Sequence, residues 1–282
     1  MDIYFSYSTK VNRGKISNIE IDLILLKKAV EFIKENHKNV FFVTDINGAN
    51  LVKDINFKDV FIALDDVSEK YKDIWSISKL YAIRYIAQKQ KPFIHIDHDF
   101  FLTQKLPRTI KEAKVAVQSI EYEPNKLGYN IDKYNKYCKN KYLADTIDSD
   151  ISYNCGIIGG TDYNFFYKFA DTAIKMIQDP VNKDFWLKNH SKFEFQTKAN
   201  LAEQYYLACV LKKENIEPEL FFDNSYGKLD NSAQFNYSPN NNRFFDETGG
   251  IHFFGFWKKF EAYKLKTGRW PNSLMRFLMK YL

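Results

Sequence analysis

The sequence predicts a single α/β domain built on an open central sheet of parallel-type strands. Three observations lead there. Short continuous apolar runs, VFFVTD (40–45), VFIALD (60–65) and PFIHID (92–97), each end in Asp, as parallel strands buried on both faces do. Segments with helical apolar spacing alternate with such runs through the first hundred residues, which is the order of an open α/β sheet. No internal repeat and no linker interrupts the 282 residues, enough to bury one large core.

The elements follow in order. IYFSYS (3–8) reads as a first strand with a polar end. In 20–36, Ile21, Ile24, Leu25, Ala29, Phe32 and Ile33 recur at helical spacing. The second and third strands follow directly, then a helix over 75–90, then the strand 92–97. Beyond it, KVAVQSIEYE (114–123) reads as a strand and 124–150, rich in Tyr, Lys and Asn, as a loop with some helix. YNCGIIGG (153–160) is an apolar strand bounded by glycine, and 161–179 and 201–215 are helices. Residues 223–250, with SPNNNR, read as a mobile loop, and 249–266 as an apolar strand turning into a basic helix.

Composition narrows the class. The formal net charge is +6, but lysines are spread along the chain, which argues against a nucleic-acid partner and suits a phosphate-bearing small substrate. Aromatics reach 17%, consistent with a thick core and with stacking on planar or sugar ligands. Cys138, Cys155 and Cys209 have no CxxC spacing, so neither a disulfide framework nor a zinc site is expected, and a reducing compartment is. MDIYFSYS is too short and polar for a signal peptide, and no run approaches a membrane span. A cytoplasmic location, at most peripheral membrane contact and a bacterial source are expected, with a secreted effector as the alternative.

FIHIDHDFF (93–101) raises the chemical question. Asp97 and Asp99 end an apolar strand, and burying carboxylates is costly unless cations or hydrogen-bond donors compensate. Ligands of open α/β sheets bind at the C-terminal ends of strands. Two carboxylates there suit a hard divalent cation, which commonly completes its shell with substrate phosphates. By strand alternation, His95 faces away from Ile94 and Ile96 and is expected to be a buried support. Three further blocks matter. HFFGFWK offers His252 as an imidazole ligand, Gly255 for close backbone approach and Lys258 as a point charge for a diphosphate. YNCGIIGG offers an Asn154 amide beside exposed backbone, suited to sugar hydroxyls. Glu203 and Gln204 open a helix, where the dipole alone would favour an acid. Each block has a plainer explanation taken alone: solvated loop acids, a core histidine, a turn, a helix start.

Together and in this order, WSISKLYAIRYIAQKQKPFIHIDHDFFLTQKLP (75–107), YNCGIIGG, EQ and HFFGFWK resemble glycosyltransferase family 8, the glycogenin and galactosyltransferase-like group of GT-A-fold glycosyltransferases. The resemblance spans roughly 1–260 and is specific at those four places. It implies a single GT-A domain (nucleotide-diphospho-sugar transferase, Rossmann-like) over 1–282, with a mixed, mostly parallel central sheet. Residues 1–110 would be the nucleotide-binding half, 111–248 the acceptor half and 249–282 the metal- and diphosphate-binding segment. It implies Mn2+ or Mg2+ on Asp97, Asp99 and His252. Donor contacts would come from Ser6, Tyr7, Lys79, Asp97, Gly156, Gly255 and Lys258, with Glu203, Gln204 and Asn154 at the reacting sugar. The donor would be a nucleotide-diphosphate sugar, UDP-linked, and the acceptor a glycan, lipid-linked or protein group, as in surface polysaccharide biosynthesis, with retention of configuration. Three departures stand out: Lys259-Phe260 replaces the family's Pro-Trp, Glu203 its Asp, and the first strand lacks an acid near its end. A metal-dependent phosphoesterase using HIDHD, or a non-catalytic nucleotide-sugar-binding module, are the alternatives.

Overall fold

Apolar runs with no polar face favour burial from both sides, and most of them become interior strands of one sheet. The computed structural model describes residues 1–11, 19–188, 194–222, 250–252 and 257–269. Its strands are β1 (Asp2–Tyr7), β2 (Val40–Thr44), β3 (Asp59–Ile62), β4 (Phe93–Ile96), β5 (Phe100–Leu102), β6 (Ala116–Tyr122), β7 (Ile151–Gly160), β8 (Glu219–Leu220) and β9 (Gly250–His252). Seven form one sheet in the order β3-β2-β1-β4-β7-β6-β8, and β5 pairs with β9 in a small second sheet. Only β7 runs against the rest of the large sheet. The expected α/β class with a mixed, mostly parallel sheet is the one observed.

The helices are α1 (Ile19–Asn36), α2 (Ile46–Leu51), α3 (Ser76–Ala87), α4 (Arg108–Glu112), α5 (Ile131–Tyr137), α6 (Tyr163–Gln178), α7 (Lys183–Leu187), α8 (Glu194–Asn200), α9 (Tyr206–Glu214) and α10 (Trp257–Thr267). They leave a core on each face of the sheet. On one, Ile77, Leu80 and Ile83 of α3 and Phe166, Phe169 and Ile177 of α6 cover Tyr4, Val43, Phe93 and Ile158. On the other, Leu25, Leu26, Ala29 and Ile33 of α1 pack with Ile3, Phe5, Phe42, Ile94 and Ile157, and with β5. Because α3 is buried over ten of its twelve residues, a lysine within it must find acceptors inside the protein. Among the described residues, no helix is long and apolar enough to cross a membrane.

Three expectations are corrected. β3 is not buried on both faces: it is the sheet's edge, with Asp59 and Ile62 exposed. A short helix, α2, separates β2 from β3. Asp45 caps it, accepting from Gly48 N–H at 2.8 Å. The strand containing YNCGIIGG begins at Ile151, so Asn154 lies within it rather than at its start. Its closing glycines are dictated by approach: a Cβ on Gly159 would stand 2.2 Å from the Phe93 carbonyl oxygen. The loop expected over 223–250 lies outside the described residues, except for Gly250.

Candidate functional site

The chain steps from β1 outward to β2 and β3, then returns to lay β4 on the other side of β1. Such a reversal opens a crevice at the C-terminal ends of the two strands that flank it. Ser6 and Tyr7 close β1, and Asp97 follows β4. Because β7 is antiparallel, its first half reaches past the end of β4: Ile96 pairs with Ile157, and Asp97 N–H donates to the Gly156 carbonyl at 2.9 Å. Asn154, Cys155 and Gly156 are thereby carried to the same edge.

The Asp97-His98-Asp99 turn is closed by Phe100 N–H donating to the Asp97 carbonyl at 2.9 Å. His98 reaches away to α1, its Nε2 2.9 Å from Asp22 Oδ1, with both side chains buried. The Tyr7 ring meets the His98 ring edge to face, at 6.1 Å between centroids. The middle residue of the motif thus anchors the turn to α1, and Asp97 and Asp99 flank it. Asp99 is buried, whereas the Asp97 side chain is 20% exposed.

Lys79 links three of the sequence blocks. From α3 its ammonium lies 2.8 Å from Asp97 Oδ1 and 2.8 Å from Glu203 Oε1, and it donates to the Cys155 carbonyl. Burial alone would lower its pKa. The charges of Asp97 and Glu203 outweigh that and hold it above the usual lysine range. Glu203 is fully buried. It does not open a helix, as expected from sequence. α8 runs into a π-helical turn, Leu201–Tyr205, and then into α9, so the dipole explanation for its acid falls away. Single π turns inside helices recur at functional sites, and this one buries Glu203 and Gln204 together.

Beside this triad, Glu121 of β6 gathers donors. Its carboxylate accepts from Ser152 Oγ at 2.9 Å, from Asn154 Nδ2 at 3.1 Å and from the Tyr129 hydroxyl. The Tyr129 oxygen also contacts Gln204 Oε1. Asn154 Oδ1 accepts from Gly156 N–H at 3.0 Å. Burial and the neighbouring Glu121 hold the Tyr129 phenol well above its ordinary pKa, so it stays protonated.

The remaining candidates distribute as follows. Ser6 Oγ is 2.8 Å from His95 Nε2, and His95 is buried in β4. His252 lies in β9, whose register sets it opposite Phe100, the residue after Asp99. Lys258 lies in the first turn of α10. The side chains of His252 and Lys258, and Gly255 altogether, lie outside the described residues. Among the described residues, no three His, Cys, Asp or Glu side chains gather to hold a metal. Asp97 and Asp99 nevertheless flank one turn, where carboxylate oxygens are the donor type a hard divalent cation prefers, and the β9 backbone at His252 pairs with Phe100, the residue after Asp99. Asp97, Asp99, Glu203 and Lys79 together carry three formal negative charges against one positive.

Sequence inspection missed Glu121, Tyr129 and Ser152. One signal was present: Glu121 is an acid inside the strand VAVQSIEY, the same oddity that singled out Asp97 and Asp99.

The sequence profile of a family of unknown function, DUF6734, matches residues 23–266. The chain belongs to this family. No curated protein matches. Among solved structures, the apo form of mouse xyloside xylosyltransferase 1 is similar to this DUF6734 chain at 10% identity and a TM-score of 0.35, covering 72% of this chain and 82% of that one.

Proposed function

We propose that this DUF6734 protein is a metal-dependent GT-A glycosyltransferase that moves a sugar from a nucleotide-diphosphate donor, UDP-linked, to a hydroxyl-bearing acceptor with retention. One observation carries the proposal. Lys79 joins the helix before Asp-x-Asp, the Asp-x-Asp turn, the YNCGIIGG strand and the Glu-Gln block at the switch point of the sheet. That blocks which resemble family 8 in sequence order share one buried cation supports this reading.

Asp97 and Asp99, with His252 from β9, would hold a Mn2+ or Mg2+ ion, whose contribution when bound is positive charge against the leaving diphosphate. Lys258 and the Gly255 backbone would add to that contact, most strongly as charge develops on the leaving oxygen. Ser6 and Tyr7, at the end of β1, would meet the nucleoside. Lys79, expected to touch the donor, has its ammonium engaged by two carboxylates and a carbonyl, and we assign it to holding Asp97 and Glu203. Glu203 and Gln204 would lie against the sugar carbon as it becomes oxocarbenium-like, and Asn154 and Gly156 would face donor sugar or acceptor. The sugar–phosphate C–O bond breaks, its electron pair leaving on the diphosphate. The acceptor oxygen bonds to the same face of the carbon and yields its proton to the departing phosphate oxygen, so no strong enzymic base is needed. The halves 1–110 and 111–248 and the segment 249–282 would serve nucleotide, acceptor and diphosphate in turn.

A donor screen tests this. The protein is incubated with Mn2+ and a panel of nucleotide sugars, and products are resolved by chromatography. Slow release of nucleoside diphosphate and free sugar without acceptor is the expected outcome. Release of inorganic phosphate or nucleoside monophosphate would identify a phosphoesterase instead, and donor binding without turnover a non-catalytic module.

A further inference from the structure

The Glu121 cluster has no part in the sequence resemblance, yet two proposed site residues depend on it. Its carboxylate is held by three donors from two places: Ser152 and Asn154 on β7, and Tyr129 on the loop before α5. That loop is built to be stiff. Tyr129 N–H donates to the Pro124 carbonyl at 3.1 Å, and Gly128 N–H to the Asn125 carbonyl at 3.1 Å. Thr197 Oγ1 of α8 donates to the Gly128 carbonyl at 2.8 Å. Tyr129 is itself buried, and its oxygen is the meeting point of Glu121 and the Gln204 amide.

A phenol has one proton and here faces two acceptor oxygens, Glu121 Oε2 and Gln204 Oε1. The proton can serve only one at a time. Where it goes decides which end of the planar Gln204 amide is favoured toward Tyr129 and which end is turned outward. With the proton on the Gln204 side, the amide carbonyl faces Tyr129 and its N–H2 points away. With the proton given to the carboxylate, which attracts it more strongly by charge, the phenol oxygen favours the amide N–H2 and the carbonyl turns outward.

We propose that Glu121 and Tyr129 form a positioning relay that sets the orientation of the Gln204 side-chain amide, with Asn154 fixed by the same carboxylate. Tyr129 and Glu121 act through Gln204 and Asn154 and need not touch the reacting atoms. The consequence for catalysis rests on the glycosyltransferase reading above; the relay itself does not.

Two measurements test it. The first is independent of activity: side-chain amide resonances of protein labelled with 15N-Gln and 15N-Asn, assigned through Gln204→Ala and Asn154→Ala. Tyr129→Phe keeps the ring and removes only the hydroxyl, and it should move the Gln204 resonances, its direct partner, further than those of Asn154, which it reaches only through Glu121. Glu121→Gln should move both. Ser152→Ala removes one donor to Glu121 at lower risk to the fold and should also move both. Unmoved Gln204 resonances in a folded Tyr129→Phe protein would overturn the relay. The second uses whichever donor turns over. Tyr129→Phe should lower kcat by about 10- to 100-fold, with donor KM unchanged. The Tyr129→Phe/Gln204→Ala double variant should match Gln204→Ala alone. Independent, multiplying losses would mean that Tyr129 does not act through Gln204. If no donor turns over, the glycosyltransferase reading fails and the resonances still decide the relay.

Discussion

At the scale of single residues, Lys79 organises the site. A buried ammonium between Asp97 and Glu203 exchanges hydration for two close ion pairs and a carbonyl. Removing one partner of such a group leaves buried charge behind and costs about 3–5 kcal/mol. Lys79→Met is therefore expected to lower the urea midpoint sharply, and Lys79→Met/Glu203→Gln to recover part of the loss, because the stranded carboxylate is gone. A Lys79→Met protein as stable as the parent would mean that the acids do not need this cation. In the proposed mechanism Asp99, buried at the turn, is a metal ligand. Asp99→Ala should lower turnover by about 10³-fold or more, as loss of charge stabilisation does. EDTA should abolish the parent's turnover, and added Mn2+ restore it. Full activity in EDTA would defeat the metal assignment.

At the scale of elements, the π-helical turn Leu201–Tyr205 does what a regular helix would not. It joins α8 to α9 and buries Glu203 against Lys79 and Gln204 against Tyr129. Deleting Ala202, which is itself buried, should let the turn close into an α-helix. Glu203 and Gln204 would then be displaced relative to one flanking helix, whichever of α8 or α9 keeps its seat. The expected signature is unchanged far-UV helix content, a loss of stability comparable to that of Lys79→Met, and loss of donor turnover. Retained stability and turnover would show that the bulge is not what positions these two residues.

At the scale of the whole molecule, the core beneath α3 and α6 holds all three cysteines buried. Burial pushes the Cys138 and Cys209 thiols up to about 12 and the Cys155 thiol well above its ordinary value. Since the thiolate is the reactive form, thiol titration at pH 8 should find none of the three in the native protein and all of them in denaturant. Reaction of a native thiol would reveal local opening of the segment that carries it.

Much of this architecture is written locally. Strands buried on both faces must be continuous apolar runs, so β1, β2 and β4 are legible, and α1 follows from the spacing of its apolar residues. An acid pair at the end of such a run is a local anomaly, which is why Asp97 and Asp99 stand out without any fold. What could not be read locally depends on sheet order and direction. β3 looks as apolar as its neighbours, and only its place at the sheet edge exposes it. β7 is reversed because of the path the chain takes to reach it, and that reversal carries Asn154 to the crevice. The π turn is invisible in a segment whose apolar spacing is simply helical. Glu121 was visible as a misplaced acid, but its donors lie on a loop and a neighbouring strand. The sequence by itself determined the α/β class, the main strands and the acids at the end of β4, because burial and charge act residue by residue. Only the tertiary structure decided that Lys79 pairs with Asp97 and Glu203, and that Tyr129 joins Glu121 to Gln204. Coulombic and hydrogen-bond partners are chosen by distance in space, and that distance is set by how the strands are ordered.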